Sequence, residues 1–345
     1  MSLIQTLGIA LPILQAPMAG AQGSALAIAV ARAGGLGALP CAMLSPEAMA
    51  EELAAFRAAT DAPVNVNFFC HAPPAPDADA QTRWQAALAP YYAEFGLDIG
   101  AVPAGPGRRP FDAAACDAIA PFRPEVVSFH FGLPEAALLE RIKAWGARVL
   151  ASATTVEEAR WLAAHGADAI IVQGLEAGGH RGMFLAEELT TQVGTFALLP
   201  QVREAVDLPL IAAGGIADAR GVAAARALGA EAVQVGTAFL CCPESIISAL
   251  HRRALMSDAA RHTALTNLYS GRPARGIVTR LMRELGPMSD AAPAFPLATA
   301  AIAPLRAAAE ARGSGDFSPL WAGQNASRCR EVPAAEVIAR LAEGL

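Results

Sequence analysis

Lysine is almost absent from this chain. Of 345 residues only Lys143 is one, and it lies just ahead of the apolar run Arg148–Ala153. Chemistry built on a lysine amine, in a Schiff-base aldolase or a pyridoxal phosphate enzyme, needs that amine at the other end of such a run. Both classes are excluded. The six cysteines (Cys41, Cys70, Cys116, Cys241, Cys242 and Cys329) include no C-x-x-C pair, and no His-x-His spacing accompanies them. They read as free thiols in a reducing compartment, not as a disulfide frame or a zinc site. Charged residues make up 17% and the net charge is -6, which leaves no broad cationic surface for nucleic acid. No stretch approaches the roughly 18 unbroken apolar residues of a membrane span. The first residues carry no basic segment ahead of an apolar core, which argues against a signal peptide. A cytoplasmic location is expected, with no membrane or nucleic-acid partner.

What the chain does have is apolar material, 54% of the residues, arranged with a period. Eight apolar runs bounded by turn residues occur at Pro12–Met18, Leu36–Leu39, Val64–Phe69, Val126–Phe131, Arg148–Ala153, Ala169–Gln173, Leu208–Ala213 and Ala232–Thr237. Amphipathic stretches rich in Ala, Leu, Glu and Arg lie between most of them. Ser45-Pro46 supplies a helix cap followed by proline at the first helical position, and Thr155-Val-Glu-Glu158 has the spacing of a capping box. Eight strand–helix alternations predict an α/β protein, a (β/α)8 TIM barrel. No GxGxxG opens a helix after the first strand, so a Rossmann sheet is the weaker alternative. The expected barrel covers about 1–260. The Pro-rich interval at about 72–114 reads as an excursion with a helix near Ala80–Phe95 over the catalytic end. A helical cap over 261–330 and a C-terminal helix at 331–345 returning to the barrel complete the plan.

Barrel enzymes work at the C-terminal ends of their strands. Acidic groups there are nearly missing; Glu176 and Asp218 are the two that qualify. That argues against a carboxylate-bound metal and against a paired-carboxylate glycosidase. What remains is glycine, amide, hydroxyl and two histidines, so a bound cofactor is expected to carry the chemistry. Gly214-Gly215 and Gly236-Thr237 follow the last two barrel strands, where barrels hold phosphate by backbone N–H groups. Phosphate beside an amide-rich mouth fits FMN, with Asn67, Gln173 and Gln234 available to the flavin or its ribityl chain. The loop Gly174-Leu-Glu-Ala-Gly-Gly-His-Arg-Gly182 carries His180, an imidazole suited to proton transfer near neutral pH. Strand alternation puts Ser128 and His130 on the face toward the barrel mouth, and Val127, Phe129 and Phe131 on the face toward the helices. His71 is expected in solvent, and His165, His251 and His262 on the surface.

Five segments carry a family resemblance: Gln15-Ala-Pro-Met-Ala-Gly20, Asn65-Val-Asn-Phe-Phe-Cys-His71, Ser128-Phe-His-Phe-Gly132, Glu176-Ala-Gly-Gly-His-Arg-Gly182 and Ala213-Gly-Gly-Ile-Ala-Asp218. Gln234-Val-Gly-Thr237, Ser270-Gly-Arg-Pro-Ala-Arg-Gly276 and Trp321-Ala-Gly-Gln324 extend it over most of the chain. Together they resemble the class I nitronate monooxygenases, also called 2-nitropropane dioxygenases. The resemblance implies FMN at Met18, Asn67, Gln173, Gly178, Gly179, Gly214, Gly215, Gln234, Val235, Gly236 and Thr237. It makes His180 the catalytic base, with His130 beside it as a second catalytic residue. The activity implied is oxidation of alkyl nitronates, such as propionate 3-nitronate, by O2 without NAD(P)H, giving a carbonyl compound and nitrite. Substrate-pocket tyrosines and a lysine of some members have no clear counterpart, and Ser152 stands where some relatives carry a flavin-side lysine. An NAD(P)H-dependent FMN reductase of the same superfamily, acting on a quinone or enoyl thioester, is the alternative. A colourless sugar-phosphate isomerase barrel would use the same two phosphate loops, and a non-enzymatic flavin carrier would be yellow and inert. The expected partners are a small nitronate and O2, with room left for a homodimer.

Overall fold

The computed structural model describes residues 2–75, 77–102 and 108–345, so Pro76 and the Gly105-Pro-Gly107 run lie outside the described residues. Nine strands come first along the chain: β1 (Ile13–Gln15), β2 (Gly37–Pro40), β3 (Val64–Phe69), β4 (Val126–His130), β5 (Arg148–Ala153), β6 (Ala169–Gln173), β7 (Gly179–His180), β8 (Leu210–Ala213) and β9 (Ala232–Val235). All but the two-residue β7 form one parallel sheet, in the order β1-β9-β8-β6-β5-β4-β3-β2. A parallel bridge between Leu14 and Leu36 joins the two ends, with Gln15 N donating to Leu36 O and Leu36 N to Ile13 O, each at 3.0 Å. The eight strands close into the (β/α)8 barrel that the alternation predicts.

The period of two explains how the barrel holds together. Outward positions (Val64, Val66, Phe68, Val127, Phe129, Val149, Ile170 and Val172) pack against the helix layer in the main core. Inward positions low in the barrel are also apolar: Leu14, Leu36, Val126, Leu150, Ile171 and Ile211, closed below by Leu3 and Leu7 of the helix Leu3–Leu7. Each such side chain stabilises by about 1.5–3 kcal/mol when fully buried. Higher up, the inward positions turn polar: Asn67, Ser128, Ser152 and Gln173. The barrel is filled at one end and open for chemistry at the other.

Local signals behave as their chemistry requires, with one departure. Ser45 Oγ accepts from Ala48 N at 3.3 Å, with Pro46 in the first turn. Thr155 Oγ1 accepts from Glu158 N at 3.2 Å. The Glu158 carboxylate does not return to complete a box; it accepts from Thr154 N and Oγ1, both at 2.7 Å, and from Phe184 N at 2.6 Å. A buried carboxylate there gains more from three fixed donors than from one solvated N–H.

A second core lies over the open end. Trp84, Leu88 and Tyr92 of the helix Ala78–Phe95 pack with Leu268, Leu281, Leu305 and Phe317. Tyr92 O–H donates to Ala301 O at 2.7 Å and Trp84 Nε1–H to Ala298 O at 3.2 Å. The region 261–330, expected to be a helical cap, is not helical throughout. It contains β10 (Thr263–Thr266) and β11 (Ala274–Ile277), an antiparallel pair, and β11 also pairs with β7 so that Ala274 lies opposite His180. The partner strand comes from about ninety residues away, and non-local pairing of this kind overrides weak local propensity. Near the end of the chain, Val337, Ile338 and Leu341 of the helix Ala334–Ala342 join the main core. No helix among the described residues is long and apolar enough to cross a membrane.

Candidate active site

Each parallel strand delivers its next residue to the open end of the barrel, and there a cavity of about 300 Å3 opens. Every residue expected at the cofactor lines it: Met18, Asn67, Gln173, Gly178, Gly179, Gly214, Gly215, Gln234, Val235, Gly236 and Thr237. His130 and His180 line it too. The structure therefore brings all thirteen together. Their individual contacts separate them into groups that are free for a ligand and groups that hold the site in shape.

The loop bearing His180 is held from several sides. Gln173 Nε2 donates to His180 O at 2.9 Å, and Gln173 Oε1 accepts from Gly182 N at 2.7 Å. Gln173 thus spends both ends of its amide on the loop. Arg181, buried behind it, donates to Gly174 O at 2.6 Å, Gln173 O at 2.8 Å and Gln192 Oε1 at 3.0 Å. His130 Nε2 lies 3.1 Å from His180 O, and its Nδ1 lies 3.0 Å from Ser152 Oγ. A carbonyl only accepts, so Nε2 carries the proton and Nδ1 accepts from the Ser152 hydroxyl. Burial, followed by the charges of Arg272 and Arg181, pulls the His130 imidazole down to about 4. It is neutral near pH 7, with both ring nitrogens occupied.

His180 is different. Its Nε2 lies 2.9 Å from Ser270 Oγ, and Ser270 Oγ in turn lies 3.3 Å from Arg272 O. The consistent chain is Nε2–H to Ser270 Oγ and Ser270 O–H to Arg272 O, which leaves Nδ1 unprotonated and without a partner among the described residues. Burial, then the Arg108 guanidinium and, more weakly, His130, Arg272 and His71, hold the ring well below its usual value. Aromatic rings wall it in: Phe295 at 5.4 Å, Trp321 at 5.5 Å, Phe69 and Phe131 each at 6.2 Å between centroids.

Three placements differ from the expectations. His71 is not in solvent: it is 4% exposed, its Nε2 lies 3.0 Å from Arg108 O and its ring 4.8 Å from Phe295. His251 is not on the surface but is buried against the cavity, with Nε2 unpartnered. Phe131 does not face the helices, because its φ of 70° ends strand alternation and turns the ring toward His130 and Phe295. Ser270, Arg108 and Phe295 are the site residues that the sequence did not single out individually. Ser270 lies in a segment that carries the resemblance, while Arg108 reaches the cavity from the excursion and Phe295 packs on His180 from the cap, with no local signal.

At the far end of the cavity the glycines form a cradle. Gly214 and Gly215 have φ of 116° and 74°, backbone open to glycine at little cost. A Cβ at Gly178 would fall 2.5 Å from Gly323 N, so the approach of these two loops requires glycine there. The two acids at the strand ends are both engaged. Glu176 accepts from Thr195 N at 2.8 Å and Thr195 Oγ1 at 2.9 Å, at the start of the helix Thr195–Ala205. Asp218 caps the helix Ala219–Ala227 through Gly221 N at 3.1 Å. Gln234 Oε1, by contrast, is buried with no partner.

A glycine cradle after β8 and β9, an unpartnered amide oxygen and a shielded neutral imidazole in one barrel mouth define an oxidoreductase class whose chemistry rests on a bound group. Comparison with known proteins makes this specific. The nitronate monooxygenase family model matches residues 1–344, and the chain belongs to that family. It is 44% identical to the nitronate monooxygenase of Paraburkholderia phytofirmans, over 99% of this chain and 93% of the relative. It is also 44% identical to that of Pseudomonas aeruginosa, over 98% and 97%. Among solved structures, a nitroalkane oxidase from Streptomyces ansochromogenes superposes with a TM-score of 0.90 at 40% identity, covering 100% of this chain and 99% of that one. FabK from Thermotoga maritima follows at 0.72 and 27% identity, covering 99% and 94%.

Proposed function

We propose that the protein oxidises alkyl nitronates with O2, using FMN and no NAD(P)H, to yield a carbonyl compound and nitrite. The observation that carries this reading is His180, a neutral imidazole facing the same cavity as two phosphate-type loops. FMN fits the residues present. Gly214, Gly215, Gly236 and Thr237 offer backbone N–H groups to its phosphate. Gln234 Oε1 lacks a partner that a flavin ring edge would supply, and Asn67, whose Nδ2 donates to Ser128 Oγ at 2.9 Å, lines the same cavity. When bound, FMN supplies the electron acceptor and the reaction with O2.

The chain's own groups do the rest. A nitronate arrives already deprotonated; a neutral nitroalkane does not. For the latter, His180 Nδ1 takes the α-proton, with Ser270 and Arg272 O fixing the tautomer that leaves this atom free. His130 positions the loop through its bond to His180 O, because neither of its nitrogens is free to move a substrate proton. Phe69, Phe131, Phe295 and Trp321 exclude water and keep the imidazole neutral. The test uses flavin-loaded protein, ethylnitronate and propionate 3-nitronate, with O2 uptake and nitrite release measured in the absence of NADH. Rapid anaerobic bleaching of the flavin by micromolar NADH, with no nitronate turnover, would assign the barrel to the reductases instead.

A further inference from the structure

Two guanidinium groups line the cavity, and they are not equivalent. Arg306 is paired with Glu310 at 2.7 Å. Arg108 is stacked over the Phe295 ring, 5.4 Å from its centroid, and pairs with no carboxylate among the described residues. Its neighbour Arg109 takes the nearby acid, Asp112, at 3.9 Å. Residues 103–107, Pro-Ala-Gly-Pro-Gly, contain no acid that would serve Arg108 either. Arg272, which does not line the cavity, lies 4.1 Å over Phe131 and is tied to Met183 O. Arg108 is therefore the cavity-lining cation that has no carboxylate partner among the described residues. Phe295 sets its place: the same ring lies 5.4 Å from His180 and 4.8 Å from His71.

We infer that Arg108 is a catalytic residue that binds the two oxygens of the substrate's nitro group. The inference rests on the nitronate reading above. A nitronate places its charge on two oxygens of one planar nitrogen, the geometry a guanidinium fork matches with two parallel N–H···O bonds. In a neutral nitroalkane the same oxygens carry little charge until the α-proton leaves. His180 Nδ1 then takes that proton as the C–H bond breaks, the electron pair moves into a C=N bond, and the charge appears on the oxygens beside Arg108. One residue thus acts on two substrates in different ways. For a nitronate it contributes to ground-state binding; for a nitroalkane it acts in the transition state.

Arg108→Gln separates these effects. Hydrogen bonds to a charged group correspond to about ten- to hundredfold in an equilibrium or rate. For ethylnitronate KM should rise by about that factor with kcat nearly unchanged; for nitroethane kcat should fall by about that factor with KM nearly unchanged. The acidic limb of the nitroethane profile should move to higher pH, because the guanidinium facing His180 is gone while Arg272 and the neutral rings of His71 and His130 remain. Arg108→Lys should restore part of both losses. Equal losses of kcat for both substrates, or an unmoved acidic limb, would overturn the assignment. A second measurement needs no turnover: nitrate, a planar oxyanion, should bind the flavin-loaded protein calorimetrically and lose at least about tenfold in affinity in Arg108→Gln and less in Arg108→Lys. Absence of nitrate binding to the unaltered protein also overturns it. If the unaltered protein binds nitrate through Arg108 but does not oxidise nitronates, the functional reading fails while the anion site stands.

Discussion

Replacing His180 with Asn removes the proton acceptor while keeping a small polar side chain. Asparagine is shorter than histidine and gives up the 2.9 Å contact of Nε2 with Ser270 Oγ, but it leaves the backbone oxygen that receives Gln173 Nε2 and His130 Nε2 untouched. The variant should fold and hold flavin. General-base catalysis is worth about 10²–10⁴-fold, or roughly 3–5 kcal/mol of transition-state stabilisation. Turnover of neutral nitroethane should fall by that amount. Ethylnitronate needs no deprotonation, so its kcat/KM should fall far less, by about the tenfold or so expected from losing one polar contact to an anion. The assay is kcat/KM for both substrates in the same preparation, from initial rates of O2 uptake, with flavin content measured in parallel. Parallel declines would refute the base assignment, and declines that track flavin loss would mean that His180 only shapes its loop.

Other outcomes follow from contacts already described. Gly236→Asp should release FMN on gel filtration, since a Cβ there already meets Ala16 at 3.2 Å and Met18 at 3.4 Å and the carboxylate would repel a phosphate dianion; full retention would reject the cradle. Ser270→Ala should free the His180 tautomer and cut nitroethane turnover by about tenfold without altering flavin content or nitronate KM. Arg181→Ala removes buried donors from Gln173 O, Gly174 O and Gln192 Oε1, of which Gly174 O keeps only Ala177 N at 3.1 Å, and should cost roughly 3 kcal/mol in denaturant unfolding. His130 and His251 are each lowered to about 4 in the folded protein. Between that value and the unfolded value near 6.5 the unfolded chain binds more protons, so thermal stability should be full above about pH 6.5 and decline as pH falls toward 4. A melting temperature that rises on acidification through this window would contradict both placements.

The strands were legible because their signal is short-range. Valines and phenylalanines alternating with asparagine and serine in β3 and β4 announce both the element and the face, and so aim Asn67 and His130 at the barrel mouth. What was not legible depends on partners far away in the chain. His71 looks solvent-bound beside its prolines, and becomes buried only when Phe295 arrives from the cap. His251 has no local pattern, and its burial comes from the wall it shares with the cavity. Phe131 fails by one residue: alternation holds to His130 and stops at a left-handed φ, which bulky side chains rarely adopt. The pairing of β7 with β11 was hidden for the same reason as the cap, since two residues of Gly-His show no strand period until Ala274 and Arg275 lie alongside.

That pairing has a consequence for how the protein becomes competent. The histidine's backbone belongs to a loop of the barrel, yet the hydroxyl that selects its tautomer, Ser270, and the strand that straightens its peptide both come from the region beyond residue 260. The proposed flavin cradle, by contrast, is made mostly from the ends of β8 and β9, with Gly323 and Asn325 bracing it from beyond residue 260. On the proposed reading, the proton-transfer group depends on the region beyond residue 260 more heavily than the cradle does. A barrel whose upper layer has loosened would keep its colour and lose its base. Mild denaturant should silence the nitroalkane reaction before it releases the flavin, and the interval between those two events measures how firmly the upper layer is seated.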